Sequence, residues 1–268
     1  MPLTVTSLAS GSSGNALLVH CTTGSLLVDC GLSQRAIERH LVHGGRSIRD
    51  LQAILLTHEH SDHMLCAGPL ARRYAIPLIT NRPTAAALTT ELAGVQLIDL
   101  PTGFSLTIGP FHVRSFPVSH DAAEPVGYVI EAEQWRVAIA TDLGTWDAQV
   151  ADALANGDLI VIEANHDRER LRAAPYTDSL KDRIASPRGH LDNVHAGRLL
   201  ARIGVDGRKR SAWLAHLSQE ANSPAIALRM VRGVLSMEGV ACIDVAVMPR
   251  RTPLTWSSDT SADQLTLL

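Results

Sequence analysis

The chain has 268 residues, 46% apolar and 19% charged, with a net charge of −3. That length and balance can fill one large domain or two small ones and exclude a globally disordered chain. No apolar run approaches the roughly 18–20 residues needed to cross a bilayer. The start, Met1-Pro2-Leu3-Thr4, has no basic segment ahead of an apolar stretch, so neither a membrane span nor a signal peptide is expected.

Short runs rich in Val, Ile and Leu, most of them ending in polar or glycine-rich loops, predict strands along the chain. In order these are Leu3–Leu8, Ala16–Val19, Ser25–Val28, Ala53–Thr57, Pro77–Ile79, Phe111–Phe116, Gly127–Glu131, Arg136–Ala140, Leu159–Ile162, Ala212–Leu214 and Cys242–Val247. Helical periodicity marks Gln34–Val42, His63–Tyr74, Thr84–Leu92, Trp146–Ala155, His195–Ile203 and Ser223–Met237. Early hairpin-like strands with helices spread throughout predict two packed sheets with helices outside. The expected domain is residues 1–250, and the Ser/Thr/Asp-rich tail, residues 251–268, is expected to be loosely ordered.

Four cysteines, at 21, 30, 66 and 242, form no Cys-x-x-Cys pair. Reduced, mostly buried thiols in a cytoplasm are expected. Residues 166–210 hold 11 Lys/Arg against 6 Asp/Glu, whereas the rest of the chain is acidic. Such a segment is either a solvated helical surface or a patch for an anionic substrate. Arginine supplies 22 of the 24 basic residues; its forked donors suit phosphate, although base composition explains the bias as well.

Thr57-His58-Glu59-His60-Ser61-Asp62-His63 carries the most chemistry. It follows the apolar run Ala53-Ile54-Leu55-Leu56, where a buried strand reaches a loop. Three imidazoles and a carboxylate so close would repel if all were protonated and would waste desolvation if buried idle. A divalent cation resolves this, because neutral imidazole and carboxylate are the donors that borderline metals prefer.

This His-x-His-x-Asp-His segment resembles the metallo-β-lactamase superfamily. The resemblance, covering about residues 3–247, implies an α/β fold, a four-layer αββα sandwich with the site at one sheet edge. Further ligands would follow later strands, and residues of the right type stand there in order. His120 follows Pro117-Val118-Ser119, Asp142 ends Val137-Ala138-Ile139-Ala140-Thr141, and His216 ends Ala212-Trp213-Leu214-Ala215. Asp29, after Leu26-Leu27-Val28, matches the acidic residue that braces the metal loop. Carried over, His58, His60 and His120 would hold one divalent ion, Asp62, His63 and His216 the second, and Asp142 would bridge both. Neighbouring dications need anionic oxygen between them, and together they lower the pKa of a shared water so that hydroxide is available near neutral pH. Asp62 either ligates or orients that hydroxide. Ligands of this kind accept zinc, manganese or iron.

Aspartate at 142 departs from the β-lactamases themselves, and His60 from the oxygen-reducing diiron branch. Lactone, thioester and phosphodiester hydrolysis survive. Glu163, in Leu159-Ile160-Val161-Ile162-Glu163-Ala164-Asn165-His166-Asp167, and His190, in Gly189-His190-Leu191-Asp192-Asn193, resemble the glutamate and later histidine of the tRNA 3′-processing branch. That likeness implies a pair that passes a proton to the leaving oxygen, which an expelled alkoxide needs. Together with Ser10-Gly11-Ser12-Ser13-Gly14-Asn15, Thr141-Asp142-Leu143-Gly144 and Ala215-His216-Leu217-Ser218, these motifs resemble the YycJ/WalJ group of bacterial proteins. The group implies DNA exonuclease activity, 5′-to-3′ on duplex DNA. Two positions depart from its pattern: Asp192 replaces an expected serine, and Ala221 an expected asparagine.

The reading is therefore a dinuclear-metal phosphodiesterase, a DNA exonuclease, with DNA favoured over RNA and Asp62, Glu163 and His190 catalytic. Asp29, Ser12, Asn15, Asn165, His166, Asn193 and Asn222 are expected to support the site or contact substrate. The 10–15 loop is equally an ordinary Ser/Gly turn. The alternative is a hydrolase of a small anionic ester, such as a cyclic phosphodiester or thioester, and the least favoured is a metal-stabilised regulator without turnover.

Overall fold

A computed structural model describes residues 2–259 of the chain. The first half comprises β1 (Thr4–Ala9), β2 (Ala16–Cys21), β3 (Gly24–Val28), α1 (Gln34–His43), β4 (Leu51–Leu55), α2 (Ser61–Met64), α3 (Ala67–Tyr74), β5 (Leu78–Thr80), α4 (Arg82–Ala87), β6 (Leu97–Asp99), β7 (Ser105–Ile108), β8 (Phe111–Pro117) and β9 (Val126–Ala132). The second half comprises β10 (Trp135–Ala140), α5 (Ala148–Ala155), β11 (Leu159–Glu163), α6 (Arg168–Ala173), α7 (Asp178–Ala185), α8 (Asn193–Ile203), β12 (Arg210–Ala215), α9 (Pro224–Met237), β13 (Ile243–Val247) and β14 (Leu254–Ser257).

The strands form two seven-stranded sheets, ordered β14-β1-β2-β3-β4-β5-β6 and β13-β12-β11-β10-β9-β8-β7. Alternation along single strands explains the layering. In β4, Ala53 and Leu55 face the other sheet, meeting a core that includes Val113, Ile130, Val137 and Val161. Ile54 and Leu56 face outward, onto Ile37 and Leu41 of α1 and Leu70 of α3. On the second sheet, Ala138, Ile160 and Leu214 turn outward onto α5, α8 and α9 through Leu154, Leu199 and Val231. Strands buried on both faces read as continuous apolar runs. The result is helix, sheet, sheet, helix: the αββα architecture.

The terminal segment departs from expectation in part. Residues 254–257 are an edge strand paired antiparallel with β1, with Trp256 opposite Val5. Trp256 lies in the inter-sheet core, edge-on to Trp135 at 6.3 Å, and its Nε1 donates to Ser211 Oγ at 3.1 Å. One buried indole outweighs the polar composition around it. The rest of the expected loose tail, from residue 260, lies outside the described residues. The expected helix over 63–74 is two helices, broken at Leu65 and Cys66. That over 84–92 is shorter and starts earlier, capped by Asn81 Oδ1 on Thr84 N. Strands β6 and β7 and helices α6 and α7 had no expectation. Cys30 and Cys66 are buried free thiols with sulfurs 3.2 Å apart. Among the described residues no helix is long and apolar enough to cross a membrane.

Candidate metal centre

Strands β3, β4, β10, β11 and β12 end on one rim of the sandwich, where parallel neighbours bring their carboxyl ends together. Asp29 follows β3, His58 through His63 follow β4, His120 follows β8, Asp142 follows β10, Glu163 ends β11 and His216 follows β12. Asp29, Asp142 and His216 have φ of 60°, 54° and 55°, the left-handed region. Asp and His enter it at less cost than most residues, and such backbone persists only where the surroundings over-determine it.

The ligand atoms converge. His58, His60 and His120 place one donor atom each within 4.8 Å of one another; so do Asp62, His63 and His216, and His58, His63 and Asp142. Asp142 lies within reach of both sets, 3.0 Å from His63 Nε2 and 3.8 Å from His120 Nε2. Three of the imidazoles are oriented through their other nitrogen. His63 Nδ1 donates to Asp29 Oδ2 at 2.8 Å, and His120 Nδ1 to the Gly189 carbonyl at 2.9 Å. His216 Nδ1 donates to Glu163 Oε1 at 2.8 Å. Thus Nε2 of all three is turned toward the common centre. Asp29 also accepts from the Thr57 amide and hydroxyl, tying the motif to β3.

Electrostatics fit the same conclusion. Burial, reinforced by His63, holds the His58 imidazole well below its ordinary range, so it is neutral, the form that ligates. Burial also opposes charge on His63 and His216, but Asp142 outweighs it, with Asp29 acting on His63 and Asp62 and Glu163 on His216. His63 is lifted well above the ordinary range and His216 to about 10. Asp142 is buried, which favours its neutral form, yet the His216 and His63 imidazoles hold it well below the carboxylate range. His58 Nε2 and Asp142 Oδ2 are buried without a hydrogen-bond partner; although His63 Nε2 is near Asp142 Oδ2, the pair does not meet hydrogen-bond geometry. Orphaned acceptors facing a ring of imidazoles are what cations satisfy. The donor set suits a dinuclear metal site.

Asp62 Oδ2 lies 3.3 Å from His216 Nε2 and 3.6 Å from His63 Nε2, within one ligand group. Asn15 fixes this loop: its Nδ2 is 3.2 Å from Asp62 Oδ2 and 3.0 Å from His63 Nε2, and its Oδ1 accepts from Gly11 N. Gly31 packs where any Cβ would collide with the Asp62 carbonyl oxygen, so the strand-end loop admits no side chain there. Glu163 is fully buried, and Oε1 accepts from both His190 Nδ1, at 2.9 Å, and His216 Nδ1. Oε2 accepts from the Leu143 and Leu191 amides. Burial works to raise its pKa, but the two imidazoles hold it down at about 2. Glu163 therefore braces His216 as well as His190, a link the sequence did not disclose.

A cavity of about 250 Å³ opens over the centre, lined by Ser12, His60, Asp62, Asp142, His190 and His216 among others. Arg183 of α7 also lines it, held by Asp121 Oδ2 at 2.5 Å. Neither Arg183 nor Asp121 was singled out from sequence; the basic stretch 166–210 was the available signal. Asn193 and Asn222, expected as supports or phosphate contacts, do not line this cavity. They are buried and exchange amide hydrogen bonds at 3.1 and 2.9 Å, and Asn222 also donates to the Ala164 and Asn165 carbonyls. Asn165 donates to the His216 carbonyl at 2.9 Å, fixing the strained turn. His166 lines a neighbouring cavity beyond His190.

Comparison with known proteins agrees with this geometry. The pattern of the β-lactamase superfamily domain matches residues 25–217. Exodeoxyribonuclease YycJ of Bacillus anthracis is 38% identical over 235 residues, 87% of this chain and 89% of that one. Exodeoxyribonuclease WalJ of Streptococcus pneumoniae is 38% identical over 225 residues, covering 82% and 83%. The crystal structure of the metallo-β-lactamase fold protein YhfI from Bacillus subtilis superposes with a TM-score of 0.71 at 20% identity, over 95% of this chain and 99% of that one. Motif, rim geometry and similarity over most of the chain together place it in the metallo-β-lactamase superfamily of metal-dependent hydrolases, within the family of YycJ and WalJ.

Proposed function

We propose that this protein is a two-metal DNA exonuclease. His58, His60 and His120 would hold one divalent ion, Asp62, His63 and His216 the other, with Asp142 between them and zinc, manganese or iron as the metal. Bound there, the ions would supply an activated water and neutralise charge growing on the phosphate. The chain's own residues do the rest. His190 donates Nδ1–H to Glu163, which leaves its Nε2 for the cavity. Although burial opposes it, Glu163 raises the His190 pKa, so the imidazolium is retained toward neutral pH. As the phosphorus–oxygen bond breaks, the Nε2 proton passes to the leaving oxygen and Glu163 keeps the ring aligned. Arg183, at the cavity wall, is placed to meet a phosphate oxygen, and Asp121 restrains it.

The observation that carries this reading is the Glu163–His190 pair set directly against the ligand cluster, in a chain resembling exodeoxyribonucleases over most of its length. The reading also places the protein in the cytoplasm, with DNA. The test is metal-reconstituted protein on 5′- and 3′-end-labelled single- and double-stranded DNA and RNA. Release of mononucleotides from DNA is expected. Turnover confined to a small phosphodiester or thioester would favour the second reading, which the modest volume over the centre supports.

A further inference from the structure

Part of the basic segment 166–210 is neutralised within the fold. Arg168, Arg183, Arg208 and Arg210 form ion pairs with Asp192, Asp121, Asp158 and Asp206. A second set of cations, on the other sheet's helical layer, is not. Arg35 and Arg39 are exposed on α1, and Arg46 and Arg49 stand in the turn that follows it. None of the four forms an ion pair or a side-chain hydrogen bond among the described residues. Ile37 and Leu41 bury the opposite face of α1, which turns the arginines outward. Between residues 10 and 50 the carboxylates are Asp29, Glu38 and Asp50. Each is engaged elsewhere. Asp29 accepts from Thr57 and His63, and Asp50 from the Ser47 amide. Glu38 accepts from Gln34 Nε2 and from the Tyr74 hydroxyl of α3, both at 2.7 Å, so it passes over Arg35 one turn away.

This row of cations begins beside the metal centre. Gly14 packs so closely on the Gly31 carbonyl and on Leu32 that no Cβ fits, which sets the 10–15 loop against the start of α1. Ser12 of that loop lines the central cavity. Ser12 and Ser13 are exposed, and neither hydroxyl has a hydrogen-bond partner among the described residues. Donors without an anion of their own therefore run from the cavity, over the loop, onto α1. Arg35 and Arg39 are about 6 Å apart along the helix, close to the rise of two nucleotides in B-DNA, about 7 Å. The geometry points to a track for the sugar–phosphate backbone of the DNA that stays bound, running from Ser12 and Ser13 onto Arg35 and Arg39. The inference rests on the proposed exonuclease reading, because the row bears on turnover only when a long polyanion lies over the centre. Guanidinium forks meet phosphate oxygens in pairs, and such contacts fix position without reading bases. An anionic lipid surface would meet the same arginines, but a row that starts at the loop lining the cavity fits the substrate itself.

The test is fluorescence anisotropy of metal-loaded full-length protein with a labelled DNA duplex, its linkages phosphorothioates that resist cutting, over a range of salt. Each phosphate contact adds about 0.9 to the slope of log affinity against log salt. R35Q/R39Q should therefore flatten that slope by about two and weaken binding about ten-fold at low salt. R35K/R39K should recover most of the slope. R198Q/R202Q removes two exposed arginines at the same spacing from α8 and should leave the slope as it was. On a cleavable duplex, R35Q/R39Q should raise KM by a similar factor at unchanged kcat, and turnover of a p-nitrophenyl ester of thymidine 5′-monophosphate should not change. An unchanged slope in R35Q/R39Q, or an equal loss in R198Q/R202Q, would overturn the track. So would arginine-dependent binding to phosphatidylglycerol vesicles with none to DNA. If the loaded wild-type protein cuts no DNA, the exonuclease reading fails. The track is then decided by anisotropy alone: it stands if DNA binds and only the α1 variant loses slope, and falls otherwise.

Discussion

Glu163 Oε1 accepts from both His190, the proposed proton donor, and His216, a proposed metal ligand, so removing His190 should separate two functions that removing a ligand does not. His190→Ala is expected to retain about two metals per chain by elemental analysis while losing roughly 10²–10⁴-fold in rate on substrates with poor leaving groups. A p-nitrophenyl ester of thymidine 5′-monophosphate, whose leaving group needs little protonation, should lose far less; equal losses would remove the acid role. Asp142→Ala differs in kind. It deletes the carboxylate that lies 3.0 Å from His63 and 3.8 Å from His120, so metal content and turnover should fall together. A fully loaded, active variant would refute the bridging position. These residues were legible because four of the seven expected ligands fall within six positions, and the others sit at ends of apolar runs. Asp121, Arg183 and the Glu163–His216 bond were not, since each depends on two segments meeting that no spacing relates.

Elements buried on both faces were the easiest to find from sequence, because β3, β4, β11 and β12 carry uninterrupted apolar runs. Strands β6 and β7 alternate exposed and half-buried residues over only three or four positions, too short for a periodic signal, and pairing with β5 and β8 defines them. Helix α7 contains no fully buried residue, so its amphipathic signal is weak even though Thr177 caps it. Strand β14 shows how one side chain can decide an element. Trp256→Ala should cost about 3 kcal/mol in urea unfolding, the scale for deleting a buried indole, and should leave metal content unchanged. Both sheets lose by it, since Trp256 packs in the shared core and bonds Ser211 of β12. A cost within the surface range of about 0.5 kcal/mol would mean that β14 adds no stability.

Across the whole molecule, one sheet supplies Asp29 and the His58–His63 segment, and the other supplies His120, Asp142, Glu163, His190 and His216. Metal held at the rim would therefore join the two sheets, and its removal should lower the unfolding temperature. At a free metal concentration about a thousand times Kd, mass action predicts roughly 4 kcal/mol. The pH dependence of the metal-free protein has a definite sign. His216 is lifted to about 10 from an ordinary value near 6.5, because burial is outweighed by Asp142, Asp62 and Glu163, and His63 shifts the same way. A group whose pKa is higher folded than unfolded adds stability that is complete below the unfolded value and disappears as pH rises through the folded one. The metal-free protein should lose unfolding temperature steadily between about pH 6.5 and 10. The loaded protein should not, because its imidazoles bind metal only after losing those protons. Thermal unfolding with and without chelator across that window measures the difference, and parallel curves would show that these imidazoles do not meet the cations.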